Sequence, residues 1–286
     1  MSQPSIAVIN FTSTLEDNAV IAAINAVNRQ INENFLPIWG CARALEFFTP
    51  AFDPADEKTL AEEDVPADSV MYLVDEASVP GALGFHDLNT KDLPFGFVFV
   101  LDPNDWTTTL SHECLELILD PAASAMVPGP DPNNSRNTVL HAYEACDAVE
   151  RLSYQIDGIT VSDFVTPSYF TPGEAKGRRN DFLGVNVKSF GVTKGSHIGY
   201  FDLRTGKFEE FIGKEVAVAA GRARRLSALD HKKPNRPTDD HLDAVLAQYR
   251  NSPLARKASG LPDLRGITRT ARYRGAAMRM MERAAA

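Results

Sequence analysis

The stretch TLSHECLELILDP, residues 109–121, says more about this protein than any other part of its sequence. At about 100° per residue of an α-helix, His112, Glu113, Glu116 and Asp120 fall within one arc. The opposite side of that helix carries Leu110, Cys114, Leu117 and Ile118. So apolar a helix should be largely buried. Buried carboxylates of like charge are costly unless a cation or a proton compensates them, and a divalent metal is the simplest compensation.

The spacing of His112 and Glu116 is typical of two metal ligands on one helix face. Residues i and i+4 point the same way, and Glu113 stands beside them at i+1. The HExxH motif uses this arrangement, and here glutamate replaces its second histidine. Carboxylate oxygen is an accepted zinc ligand, although its charge makes bound water less acidic. We therefore predict that His112 and Glu116 bind a divalent metal, most simply zinc. The alternative is a polar stripe that faces water.

A third protein ligand is expected, because catalytic zinc sites usually have three ligands and water. The candidates lie in HAYEACDAVE, where His141, Glu144 and Asp147 are spaced i, i+3 and i+6. Residues 138–152 are predicted to be helical, although a shorter helix would also fit, and on a helix these three side chains share one broad face. Glu144 is the first choice and Asp147 the second, with the other one supporting a ligand. The alternative is a solvated helix face, and His141 is expected to be incidental.

Short apolar runs rich in β-branched or aromatic residues predict the strands of one sheet. These runs cover residues 6–10, 44–48, 70–74 and 97–101. Residues 16–35 carry apolar side chains at helical spacing, and a second helix is predicted from about Thr107 to the break at Asp120-Pro121. The sequence therefore predicts an α+β fold with a mixed sheet.

Two segments near the predicted metal helix carry turn and loop signals. The glycines of GALGFHDLN, residues 81–89, predict an irregular or edge segment that something approaches closely. Within it, His86 is expected to cap a turn, and hydrogen bonding to a substrate is the alternative. Three prolines in residues 128–134 predict a loop.

Past Ser153 the pattern changes to hairpins. Tight turns are predicted at Asp157-Gly158 and at Thr205-Gly206, each between apolar arms. We therefore predict three parts. Residues 1–155 form the domain that carries the metal helix, residues 156–221 form a β-rich extension packed on it, and residues 222–286 form a basic, partly disordered C-terminal arm.

Composition limits the class of protein. Hydrophobic residues make up 44% and charged residues 23% of the 286 residues, which is typical of a globular chain. The three cysteines are odd in number and have no CxxC spacing, which argues against a disulfide framework and a thiolate zinc site. The N-terminus lacks the pattern of a secretory signal, and no apolar run approaches the roughly 20 residues of a spanning helix. We expect a cytoplasmic protein with no membrane partner.

Charge is distributed unevenly along the chain. The net charge is -9, yet residues 222–286 carry 15 Lys and Arg against 6 Asp and Glu. A basic arm on an acidic body is a candidate partner surface for nucleic acid or for another protein. The alternative is a solvated extension, because Tyr249 and Tyr273 are its only aromatic residues.

Several blocks of the sequence together resemble a group of bacterial and phage proteins with a zincin-like metallopeptidase fold. The blocks are TLSHECLELILDP, YEACDAVE and YQIDGITVSDFVTPSYF, preceded by GALGFHDLN and FGFVFVLD. That group shares an HExxE helix ending in Asp-Pro, followed by an E-x-C-D segment. The match covers about residues 65–170.

The resemblance implies a zincin-like catalytic domain that hydrolyses peptide bonds in a peptide or protein substrate. It implies that His112, Glu116 and one of Glu144 and Asp147 hold zinc, and that Glu113 is the general base toward a water activated by the metal. The alternative is a non-catalytic, phage-derived structural or assembly protein that retains the fold, which would be consistent with a virion-associated location.

Overall fold

The computed structural model describes residues 5–54, 57–77, 83–101, 104–173, 177, 179–185 and 187–213. The predicted basic arm, residues 222–286, lies outside the described residues. The expected nucleic-acid or protein partner of this arm therefore stays a prediction. No helix within the described residues is both long enough and apolar enough to cross a membrane.

A five-stranded mixed sheet carries the first half of the fold. Its strands are β1 (Ser5–Asn10), β2 (Ala44–Phe47), β3 (Ser69–Val74), β4 (Gly84–Leu88) and β5 (Pro94–Phe99), in the order β2-β1-β3-β5-β4. The pairs β1/β2, β1/β3 and β3/β5 are parallel, whereas β4 runs antiparallel to β5. The predicted mixed sheet is confirmed, and the glycine-containing segment does form an edge strand of it.

Four α-helices accompany this sheet. They are α1 (Asp17–Arg29), α2 (Leu36–Trp39), α3 (Glu57–Leu60) and α4 (Trp106–Leu119). A π-helical turn, Gln30–Phe35, connects α1 to α2, so the helix predicted over residues 16–35 is confirmed and continues further. Helix α4 begins and ends within a residue of the predicted limits. The Asp120-Pro121 pair stops it because the residue before proline is disfavoured in the helical region.

Alternating side chains of the five-stranded sheet contribute to two hydrophobic cores, one on each of its faces. On one face, Val8, Met71 and Val98 pack against α1 and α4. On the other face, Tyr72 and Phe97 pack with further aromatic side chains. Since successive residues of a strand point to opposite faces, this pattern orients every side chain of the sheet. Helix α4 is consequently covered by the sheet on one side.

An antiparallel sheet forms the second half of the fold. Its strands are β6 (Met126–Pro130), β7 (Thr138–Ala142), β10 (His197–Asp202) and β11 (Lys207–Ile212), in the order β11-β10-β7-β6. Two predictions are wrong here. Of the loop predicted over residues 128–134, residues 128–130 belong to strand β6, while 131–134 lie in a loop as expected. Residues 138–152 are not a helix, because 138–142 form β7.

Strand pairing explains both errors. Strand β7 is hydrogen-bonded on one edge to β6, the strand before it, and on the other edge to β10, which is distant in sequence. Only a short 3-10 turn, Asp147–Val149, retains helical geometry beyond it. Pairing on two sides outweighs the weak helical preference of a mixed sequence.

A hairpin of β8 (Ser153–Ile156) and β9 (Ile159–Ser162) lies between the two halves. Its turn residues, Asp157 and Gly158, have φ of 51° and 80°, as expected for the predicted tight turn. The second predicted hairpin is confirmed as β10 and β11. The division of the chain at residues 155 and 221 stays a prediction, and strands from both sides of residue 155 share the four-stranded sheet.

The buried amide of Gln30 fixes helix α4 against the hairpin. Gln30 Oε1 accepts a hydrogen bond from Ser111 Oγ at 2.7 Å, and its Nε2 donates to the carbonyl oxygen of Ser162 at 2.7 Å and to Tyr154 Oη at 3.1 Å. The Ser162 amide in turn donates to Ser111 Oγ at 3.0 Å. Ser111 precedes His112, so this network sets the rotation of the helix. The π-helical turn begins at Gln30 and presents its amide to α4.

We predict that Gln30→Leu lowers the free energy of unfolding by about 1–3 kcal/mol, because buried groups of Ser111 and Ser162 lose their partners. The measurement is urea unfolding followed by circular dichroism. Gln155→Leu, on an exposed position of β8, is the matched control and is expected to stay within about 0.5 kcal/mol of wild type. Equal effects of the two changes would contradict the proposed role of the network.

Candidate metal centre

The polar arc of α4 faces the interior of the protein. His112 and Glu113 are 0% exposed and Glu116 is 1% exposed. The apolar residues on the other side of the helix are buried as well, including Cys114, which packs in the core as predicted. A polar stripe facing water, the alternative to a metal site, is therefore wrong. A histidine and two carboxylates share one dry environment, which is costly without a compensating charge.

Glu116 is held by the segment that follows strand β7. Its Oε1 accepts hydrogen bonds from the backbone amides of Cys146 at 2.9 Å and Asp147 at 3.2 Å. Its Oε2 has no hydrogen-bond partner among the described residues and lies 3.2 Å from His112 Nε2. One oxygen of Glu116 is thus anchored, and the other is presented to the histidine.

The separations around His112 Nε2 fit a metal ion. Asp147 Oδ1 lies 3.4 Å from this nitrogen, and Glu116 Oε2 lies 3.2 Å from it. Neither contact has the angles of a hydrogen bond. Metal–ligand distances of about 2.0–2.1 Å place the ligand atoms of a tetrahedral site about 3.3–3.4 Å apart. Each carboxylate thus lies at a distance from His112 that suits two ligands of one small divalent ion such as zinc.

Both predicted candidates for the third ligand lie at this cluster. Glu144 joins His86 and Glu116 in one group whose ligand atoms all lie within 4.8 Å of one another, and Cys146 joins His112 and Glu116 in another. Asp147 belongs to neither group but reaches His112 directly. Cys146 was missed as a candidate, because the sequence shows no second cysteine at metal-ligand spacing.

Glu113 lies beneath the edge strand β4. A Cβ added to Gly84 would stand 2.9 Å from Glu113 Oε1, so only glycine leaves room for this carboxylate. His86, two residues along β4, places Nδ1 3.5 Å from Glu113 Oε2 and Nε2 3.9 Å from Glu144 Oε2. His86 does not cap a turn as expected. Because Phe85 packs on the far face of the sheet, alternation along the strand directs His86 toward α4.

Asp120 shares the arc of α4 in the sequence but has a different role. Its Oδ2 accepts hydrogen bonds from the backbone amides of Ser124 at 2.7 Å and Ala125 at 2.6 Å. The carboxylate therefore organises the turn after the helix. His141 is also occupied elsewhere, since its Nε2 lies 2.9 Å from the carbonyl oxygen of Pro130. The expectation that His141 is incidental to the metal ligands agrees with this contact.

Sequence reasoning did not single out His197, the first residue of β10. Its side chain is 1% exposed, and its Nε2 lies 3.4 Å from Asp147 Oδ1. Its Nδ1 lies 3.4 Å from Glu150 Oε2. No local pattern could reveal this, because β10 meets the 147–150 turn only in the folded chain.

The electrostatic environment favours positive charge strongly. Burial disfavours a charged imidazole at His112, yet the carboxylates of Glu116 and Asp147 outweigh burial and raise the pKa of His112 to about 10. Burial raises the pKa of Glu113, and the nearby His86 only partly opposes it. A metal ion must compete with protons for ligands of this kind, so its affinity will depend on pH.

Comparisons of the chain with protein-family models, with curated proteins and with solved structures find no match. The function is therefore argued from the cluster itself: His112, Glu116, Glu144 and Asp147 as candidate ligands, Glu113 beside them, and His86, Cys146 and His197 around them.

A small pocket reaches this cluster. Glu144 and Asp147 form part of its lining, together with aromatic side chains of the 3-10 turn Pro167–Phe170 and residues of β10. The pocket therefore adjoins the carboxylate side of the cluster.

We predict that His112→Ala and Glu116→Ala each abolish stoichiometric zinc binding, because each removes an atom that faces the proposed ion. Asp120→Asn is the control from the same helix arc, since it keeps an oxygen for the amides of Ser124 and Ala125. Zinc is measured by mass spectrometry after dialysis. Retention of zinc in Glu116→Ala, or its loss in Asp120→Asn, would contradict the ligand assignment.

A buried carboxylate behind Cys146 makes stability depend on pH. Asp163 is 0% exposed, and burial, with the nearby Asp181 adding to it, raises its pKa from 3.8 to about 7. The folded state holds this proton more tightly than the unfolded chain does. The free energy of unfolding therefore falls as pH rises from about 4 to about 7 and stays lower above that range.

We predict that Asp163→Asn is more stable than wild type at pH 8, by up to about 4 kcal/mol, and about equal to it at pH 4. Thermal unfolding at both pH values gives the comparison. Asp53→Asn, at an exposed position, is the control and is expected to leave stability unchanged at both pH values. A difference between Asp163→Asn and wild type that is the same at both pH values would refute the titration of Asp163.

Proposed function

We propose that this chain is a zinc-dependent metallopeptidase of zincin-like architecture. His112 and Glu116 would hold the ion, with Glu144 or Asp147 as third ligand, and Glu113 would act as general base. The observation that carries the proposal is the arrangement of α4. One oxygen of Glu116 is anchored by two amides, the other faces His112 Nε2, and Glu113 lies beside them under the sheet edge.

The donor set supports zinc as the metal. Imidazole and carboxylate are both zinc ligands, and the Cys146 thiol lies within reach. A bound zinc ion would supply a Lewis acid that polarises a carbonyl group and lowers the pKa of water. The residues around it are buried, which strengthens electrostatic effects at the site.

The edge of the five-stranded sheet offers a place for an extended peptide. Within the described residues, β4 is hydrogen-bonded to a strand on one side only, that of β5. Extended peptides bind many proteins by adding a strand to the edge of a sheet. A peptide bound there would pass close to Glu113, which lies directly against Gly84.

Glu113 is suited to moving a proton during hydrolysis. Burial raises the pKa of Glu113 toward the pH at which the protein works. A general base accepts and returns a proton most effectively when its pKa lies near that pH. His86 Nδ1, 3.5 Å from Glu113 Oε2, limits the rotation of the carboxylate. In this proposal Glu113 takes a proton from water and delivers it to the leaving amine.

A second candidate function has one observation in its favour. Glu113 is fully buried, as expected where a metal stabilises a fold without catalysis. The chain would then be a structural or assembly protein that keeps the metal. Both candidates require the same ligands, so the test depends on Glu113.

We predict that Glu113→Gln lowers hydrolysis of a fluorescent casein substrate by about 10²–10⁴-fold while zinc content and thermal stability are maintained, because only the base is lost. Glu46→Gln, an exposed change of the same chemistry, should leave hydrolysis unchanged. Equal hydrolysis by wild type and Glu113→Gln, or none by zinc-loaded wild type, would favour the assembly protein.

A further inference from the structure

Asp147 lies between two buried histidines. Its Oδ1 is 3.4 Å from His112 Nε2 and also 3.4 Å from His197 Nε2. All three residues are at most 1% exposed. Within the described part of the chain, neither oxygen of Asp147 and neither ring nitrogen of His197 has a hydrogen-bond partner. One carboxylate thus faces two imidazole nitrogens in a dry environment.

The length of these contacts suits two ligands of one ion. A charge-assisted hydrogen bond between an imidazolium and a carboxylate is about 2.7–2.9 Å long. Two ligands of one tetrahedral ion are about 3.3–3.4 Å apart. The separation between Asp147 Oδ1 and His197 Nε2 fits the second value, as does that between Asp147 and His112.

We propose that His197 and Asp147 hold a second divalent cation, and that Asp147 bridges it to the ion at His112. The inference rests on the first metal position proposed above and deepens it into a two-cation centre. Glu210 Oε1, on strand β11, lies 3.8 Å from His197 Nε2. It would become the further ligand by closing on the ion, because the ligand atoms of His197, Asp147 and Glu210 do not all lie within 4.8 Å of one another. Transition ions that accept nitrogen and oxygen, such as zinc, cobalt or manganese, are the expected class.

The other nitrogen of His197 supports this role. Its Nδ1 faces Glu150 Oε2 at 3.4 Å, and Glu150 in turn contacts Arg151 Nε through its Oε1 at 3.3 Å. Metal-binding histidines commonly have a carboxylate on the nitrogen that does not bind the ion, which fixes the ring orientation. Glu150 is therefore a positioning residue for His197.

A second cation would change what the centre does. Two ions that share a carboxylate can stabilise the attacking and leaving groups of a hydrolytic reaction from two sides. They also join β10 and β11 to α4, elements far apart in the sequence. Asp147, whose carboxylate both ions would share, is also part of the lining of the small pocket.

The test is zinc and cobalt stoichiometry of the full chain, measured by elemental analysis and calorimetric titration. Wild type should bind two ions per chain, and His197→Ala should bind one. His141→Ala is the matched control, because this buried histidine contacts Pro130 and should leave two ions bound. In the cobalt-loaded wild type, electron paramagnetic resonance should show coupling between the ions, which His197→Ala abolishes.

Two milder variants keep the test valid if His197→Ala does not fold. Glu150→Gln should weaken the second ion by about 10–100-fold without affecting the first. Glu210→Gln, at a partly exposed position, should also weaken the second ion selectively. One ion in wild type with no loss in these variants would overturn the second position and leave the first intact. No ion at all in wild type would overturn both positions.

Discussion

Two hydrogen bonds from the backbone amides of Cys146 and Asp147 to Glu116 Oε1 join the centre together. They connect helix α4, which packs on the five-stranded sheet, to the segment between the four-stranded sheet and the hairpin. Because the amides neutralise one carboxylate oxygen, the other remains for a cation. Asp147, carried by the same segment, is placed against His112 by this connection.

The burial of so many charged groups limits the functions that the centre can have. Glu113, Glu116 and Asp147 lie with three imidazoles in the interior, where unpaired charge is costly. Protons on the histidines could balance part of this charge. The N···O separations of 3.2–3.4 Å at His112 and His197, without hydrogen-bond angles, also suit ligands arranged around ions.

The scaffold around the centre makes its geometry specific. The amide of Gln30 sets the rotation of α4 through Ser111, next to His112. Gly84 leaves the space that Glu113 occupies, and strand alternation turns His86 toward the same place. The second sheet contributes His197 from the first residue of β10. These contacts come from four separate parts of the chain.

Local periodicity was enough to predict helix α4, its end at Asp120-Pro121, and the shared face of His112, Glu113 and Glu116. The i, i+4 geometry of a helix needs no information about the rest of the fold. The hairpin turn at Asp157-Gly158 was equally local, because two adjacent residues with positive φ define it.

Tertiary structure decided everything that depends on pairing between distant segments. Residues 138–142 form a strand because β6 and β10 bind both of its edges, which no helical spacing can show. For the same reason, no spacing along the sequence indicates that Cys146 and His197 lie beside His112. Asp120 shares the polar arc of α4 in the sequence, but its carboxylate accepts hydrogen bonds from the amides of the following turn and so does not join the cluster at His112. The sequence alone determined which helix carries the chemistry, and the packing of two sheets around it determined which side chains complete the centre.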